Sequence, residues 1–88
     1  MVSKVKMGDI ITINYINFLS GFREWLLEQG MNFDSLSFRG ILKYSRKFRT
    51  SMGFKIIITD KEFNGIRMHT HIVTRPKLFL LAKIKYGI

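Results

Sequence analysis

The stretch from Phe54 to Thr74 constrains this chain more than any other, because it fits a single β-hairpin folded at Asn64-Gly65. With those residues as the loop of a type I′ turn, Phe63 faces Ile66, Glu62 faces Arg67 and Lys61 faces Met68. Continuing outward sets Asp60 opposite His69, Thr59 opposite Thr70, Ile58 opposite His71, Ile57 opposite Ile72 and Ile56 opposite Val73. The register gathers opposite-charge, threonine and aliphatic pairs, each contributing from a few tenths to about 1 kcal/mol. A slipped register would lose most of them.

Around this hairpin the other elements follow from periodicity. Residues 9–16 are β-branched and aromatic without a breaker and read as a first strand. From Phe18 the period changes: Phe18, Phe22, Trp25 and Leu26 recur at helical spacing, opposite Arg23, Glu24 and Glu28. Gly30 closes this helix in the C′ role, and Asn17 or Ser20 is the expected N-cap. The aromatic residues of its apolar stripe are expected to pack on the sheet.

The segment from Asp34 to Arg49 supports two readings. As a helix capped by Asp34 or Ser35 it sets Phe38, Ile41, Leu42, Ser45 and Phe48 on one stripe and Arg39, Lys43, Arg46 and Lys47 on another. As a strand over residues 35–44 it also alternates, leaving a basic loop behind it. The helix keeps its stripes apart for longer and is preferred, although Gly40 and three serines count against it. After Arg75-Pro76 breaks the ladder, Leu78, Leu80, Ala82, Ile84 and Tyr86 alternate with Lys77, Phe79, Leu81, Lys83 and Lys85, which reads as a last strand. The expected fold is α+β in the order β-α-α-β-β-β, with two helices on one face of a mainly antiparallel sheet. The alternative, with residues 35–44 as a strand, is β-α-β-β-β-β.

Eighty-eight residues make one expected domain, 1–88, with a modest core. The absence of cysteine removes disulfides, thiolate nucleophiles and Cys-ligated zinc. Lys or Arg interrupts every apolar run, and the N-terminus lacks the apolar region of a signal peptide, so a cytoplasmic protein without a membrane partner is expected. Charge is unevenly spread. Up to Leu36, Lys4, Lys6 and Arg23 stand against Asp9, Glu24, Glu28 and Asp34, a net −1. From Ser37 onward twelve Lys and Arg face only Asp60 and Glu62, a net +10. Such clustering points to a polyanionic partner, most commonly nucleic acid.

Arg39, Lys43, Arg46, Lys47 and Arg49 form the first candidate surface, extended by Arg75, Lys77, Lys83 and Lys85. Cations one helical turn apart follow a phosphate backbone and release its counterions, and arginine adds forked donors. Tyr44 and Phe48 lie among them and, if exposed, would stack on unpaired bases. The expectation is a small non-catalytic nucleic-acid-binding protein, RNA ahead of DNA, that acts as a regulator or inhibitor through RNA, needs no cofactor or metal, and has a protein partner or a second copy of itself as further contacts. The compact basic format suits a virus-encoded accessory protein. An interaction module for an acidic protein and a helix-turn-helix DNA binder, built on residues 18–29 and 35–49, are the other binding readings.

An enzymatic alternative rests on His69 and His71, which share one face with Asp60, Glu62, Arg67 and Arg75 in the proposed register. Such a group matches a metal-free ribonuclease: histidine as acid or base, Asp60 beside it, and Arg67 against the charge developing on phosphate. A cross-strand His and Asp pair that only supports the hairpin is the preferred reading of the same residues. A His-x-His zinc site would need Asp60 or Glu62 as further ligands. The order strand, two helices, antiparallel strands, the basic surface and Tyr86 near the C-terminus together loosely resemble the RelE and ParE class of small toxins, some of which cut messenger RNA. That resemblance implies a scattered basic set with a C-terminal Tyr or His, roles that Tyr86 with Arg67, Arg75, Lys83 or Lys85 would fill.

Overall fold

The computed structural model describes residues 5–63 and 66–88, and the side chains among these outside residues 58–63 and 66. In chain order the elements are β1 (Ile10–Asn14), α1 (Tyr15–Glu28), a short 3-10 turn (Phe33–Ser35), α2 (Phe38–Ser51), β2 (Phe54–Phe63), β3 (Ile66–Val73) and α3 (Pro76–Tyr86). The three strands form an antiparallel sheet in the order β1-β3-β2. Its inner face carries Ile13, Phe54, His69, His71 and Val73 and is covered by helices, while Ile10 and Thr12 are exposed on the other side. The α+β class expected from the sequence is the observed one.

Helix α1 begins earlier than its apolar period suggests. The Asn14 side chain accepts from the backbone N–H groups of Ile16 at 2.8 Å and Asn17 at 3.4 Å, so Asn14 is the cap instead of Asn17 or Ser20. At the other end Gly30 donates to Leu27 O and Met31 to Leu26 O, the paired bonds of a Schellman ending. Between Asp34 and Arg49 the helix prevails over the strand. Its cap is Ser37, whose Oγ accepts from Gly40 N at 3.1 Å, whereas Asp34 and Ser35 belong to the short turn capped by Asn32.

Near its loop end the hairpin keeps the expected pairs: Phe63 opposite Ile66, Glu62 opposite Arg67 and Lys61 opposite Met68. The Asn64-Gly65 turn itself lies outside the described residues. Farther out, register shifts between Ile58 and Lys61 and between Ile56 and Ile58 replace the continuous ladder. The partners become Ile58 with Thr70, Ile56 with His71 and Phe54 with Val73. An extra residue in one strand bends and twists it locally. Two successive shifts restore the alternation, so Phe54 takes the core position beside Val73. Within the first shift the two residues Thr59 and Asp60 stand against His69 alone, and on its other side His69 faces Ile13 of β1.

The last element corrects the sequence reading: residues 76–86 form a helix, and no fourth strand is present among the described residues. Leu and Lys at most positions fit both periods, but Phe79, Ala82 and Tyr86 are the buried residues, a helical spacing. Pro76 occupies the first turn, where its missing N–H costs nothing, and Gly87 ends the helix in a left-handed conformation. Leu, Lys and Ala are also strong helix formers. This helix departs from the element order on which the resemblance to RelE and ParE rests.

Two glycines permit the close packing. A Cβ on Gly21 of α1 would lie 2.9 Å from Ile88 Cγ2 and 3.0 Å from Tyr86 Cβ, so the glycine that weakens α1 also lets the C-terminal segment approach. Gly53 has φ +81°, and a Cβ there would collide with the Arg75 carbonyl oxygen. Its own carbonyl accepts from Thr74 and Arg75 N–H, joining the start of β2 to the end of β3. The centre of the core is aromatic. Phe48 is fully buried, with ring centroids 5.5 to 6.3 Å from those of Phe18, Phe22, Trp25, Phe54 and Tyr86.

Candidate nucleic-acid interface

Helix α2 presents three faces, each set by the 100° turn per residue of an α-helix. Ile41, Tyr44, Ser45 and Phe48 point toward the interior. Arg39, Lys43 and Lys47 lie on the opposite side and are exposed. Between these two faces run Phe38, Leu42 and Arg49, with Arg46 at the border of the basic face. Phe38 and Leu42 belong to the apolar stripe expected from the sequence, yet they are 76 % and 53 % exposed. They form one wall of a cleft of about 980 Å³ whose other wall includes Ile56, His69 and Tyr15.

Among the described residues, the ion pairs are Arg23 with Asp34 and Lys85 with Glu28. Arg39, Lys43, Arg46 and Lys47 therefore have no carboxylate partner there. Lys43 and Lys47 hold their ammonium groups 5.7 and 5.4 Å from the centroid of the half-buried Tyr44 ring. Phe48, by contrast, is core and is not available to stack on a base.

Arg49 does not join the exposed surface. Its guanidinium turns inward, 4.4 Å over the Phe18 ring, where Nε donates to His71 Nε2 at 3.2 Å and Nη1 to Ser45 Oγ at 3.5 Å. Burial first, and then the neighbouring Arg46 charge, lower its pKa to about 10, which still leaves it protonated at neutral pH. His71 is completely buried and lies against Phe54 and Phe18, with ring centroids at 5.1 and 6.3 Å. Burial, followed by the Arg49 charge, pushes it down to about 4. The ring is therefore neutral: Nδ1 carries the proton and donates to the His69 carbonyl at 3.2 Å, while Nε2 accepts from Arg49.

The other expected site residues separate into groups. Arg75 lines the same cleft as Arg46 and Arg49. Lys77 and Lys83 are exposed on α3, and Lys83 is 5.8 Å from the Phe79 ring centroid. Lys85 is engaged by Glu28 at 2.8 Å and is not an unpaired cation. Tyr86 donates to the same carboxylate, at 2.9 Å to Oε1, and the Phe48 and Phe54 rings stand between it and His71. Of the proposed ribonuclease set, His69 and His71 are neighbours, with ring centroids 6.4 Å apart, whereas Tyr86 stands apart from them, and the side chain of Asp60 lies outside the described residues. Arg67 instead approaches Tyr15, 6.0 Å from its centroid, and Tyr15 lies 5.2 Å from the His69 ring.

Tyr15 and the cleft escaped the sequence reading, since Tyr15 reads as part of a strand and the cleft depends on where β2 meets α2. The exposure of Phe38 and Leu42 had a signal in the sequence: both lie at the edge of the apolar stripe, next to the cations. No helix is long and apolar enough to cross a membrane among the described residues. No protein-family model, curated protein or solved structure matches this chain.

Proposed function

We propose that this protein binds nucleic acid through the exposed basic face of α2, with RNA favoured over DNA, and acts without cutting it. The observation that carries this reading is the row Arg39, Lys43 and Lys47, one turn apart, exposed and without a carboxylate partner among the described residues. Unpaired cations spaced along one helix keep their full charge for phosphates and gain from counterion release. Arg46 and Arg75 continue the positive surface to the cleft. Tyr44, half-buried between Lys43 and Lys47, and the exposed Phe38 favour unpaired strands, whose bases are free to stack. Coating RNA or joining it to another protein would make such a module a regulator.

The test is binding of labelled single-stranded RNA, double-stranded RNA and duplex DNA across a salt series, with the recovered nucleic acid run on a denaturing gel. Single-stranded RNA is expected to bind most tightly, to weaken steeply with salt and to remain intact. The triple variant R39E/K43E/K47E should lower the salt slope by about 2, from roughly 0.7 per phosphate contact on a single strand. Absence of binding at low salt would overturn the reading in favour of an acidic protein partner. Cleaved RNA would overturn its non-catalytic part.

A further inference from the structure

We infer that the cleft between α2 and the sheet is a receptor for a single nucleotide, with its phosphate on Arg49 and its base against Phe38, Leu42 and Tyr15. The inference rests on the reading of α2 as a phosphate-tracking helix and adds a defined pocket to it.

Arg49 supplies the anion site. Of its five N–H donors, Nε is committed to His71 and one on Nη1 to Ser45. The remaining donors meet no carboxylate among the described residues. A half-buried guanidinium held in place from behind, with forked donors left over, suits a phosphate oxygen pair. Neutral His71 contributes to this arrangement, because it accepts from Nε without neutralising the cation.

The rest of the cleft selects what is attached to the phosphate. Its volume of about 980 Å³ is at the upper end of small-molecule sites. Phe38, Leu42 and Ile56 give apolar walls and Tyr15 a ring, while Thr50 and Thr74 place hydroxyls among them. An acyl chain would bury those hydroxyls without offering them a partner, which is costly. A nucleobase stacks on the rings and carries donors and acceptors along its edge. The location agrees with this choice: Arg46 lines the cleft and also borders the basic face, so a strand following Arg39 and Lys43 can turn one nucleotide inward.

The same chemistry is offered by a free mononucleotide and by one unit of a strand. The experiment titrates the full chain with uridine and adenosine monophosphates, with a short single-stranded oligouridylate and with decanoate, following nitrogen-15 amide shifts by NMR. Mononucleotide binding is expected to shift residues of α2 and β2 that line the cleft. Arg49→Lys should weaken it between about tenfold and a hundredfold, since the fork is lost while the charge stays. Phe38→Ser, at a site outside the core, should weaken it at least about fivefold. R39Q/K43Q/K47Q should lower strand binding by far more than mononucleotide affinity, whereas Arg49→Lys lowers both, so failure of the cleft and failure of the basic face give different results. Binding by the oligouridylate alone, with no mononucleotide response, would overturn the pocket and leave only backbone contact. Binding of decanoate in place of nucleotides would assign the cleft to apolar carboxylates. Mononucleotide binding indifferent to both Arg49→Lys and Phe38→Ser would also overturn it.

Discussion

On one side of the aromatic core, α1 and α3 meet through Glu28, Lys85 and Tyr86; on the other, α2 and the sheet enclose Arg49 and His71. Both regions fix charged or polar side chains, but they treat charge differently. At the α1–α3 seam the Lys85 ammonium and the Tyr86 hydroxyl both reach the Glu28 carboxylate. Those hydrogen bonds, Lys85 before Tyr86, hold Glu28 below its usual pKa, and the bond to Glu28 raises Lys85. Burial, and then the same carboxylate, raises Tyr86. At the cleft, Arg49 is immobilised by groups that carry no negative charge. Pairing a cation with a carboxylate spends its field locally, whereas holding it with neutral acceptors leaves that field for a ligand.

The largest expected effect comes from removing what separates the two regions. Phe48→Ala should destabilise the fold by about 3–5 kcal/mol, measured by chemical denaturation, because a buried ring at the centre of both packings is lost. A loss well below that range would mean that the two regions are not joined through Phe48.

Acid should act next, and on the cleft side. His71 has a folded pKa near 4 against the ordinary value of 6.5, so between these values the unfolded chain binds more protons than the folded one. Its contribution is fully present above pH 6.5 and is lost as pH falls toward 4, up to about 3 kcal/mol at 1.36 kcal/mol per pH unit. Denaturation midpoints at pH 7, 6 and 5 measure this, and the decline above pH 5 precedes most carboxylate titration. His71→Gln should flatten that part of the curve whatever its effect at pH 7. An unchanged slope would place the acid sensitivity elsewhere.

The smallest effect is expected at the seam. Lys85→Ala leaves the Tyr86 bond to Glu28 in place and removes an ion pair open to solvent, which ordinarily contributes little. Its melting temperature should stay close to that of the parent chain, and the RNA binding proposed for α2 should hardly change, because Lys85 is already engaged by Glu28. A large fall in RNA binding would show that the seam, too, offers its charge to a ligand.

Much of this arrangement can be read from local chemistry. The hairpin pairs near the loop, the first strand, the periodic face of α1 and its ending at Gly30 all depend on neighbours in the chain, and all are found. Residues 76–86 were misread because a segment apolar at almost every position other than its lysines fits both periods. The register shifts in β2 left no such signal, since Ile56, Ile57 and Ile58 are interchangeable to a pairing rule.

The sequence by itself determined the α+β class and the concentration of positive charge after Ser37, because each follows from residue type and spacing along the chain; between Asp34 and Arg49 it preferred the helix without excluding the strand, and packing decided. Only the tertiary structure decided which cations are engaged among the described residues. Lys85 is spent on Glu28, Arg49 is turned inward onto His71, and Arg39, Lys43 and Lys47 are left exposed. The partners of Lys85 and Arg49 lie 57 and 22 residues away in the chain, and at such separations a charge is answered or left unanswered only when packing brings the groups together.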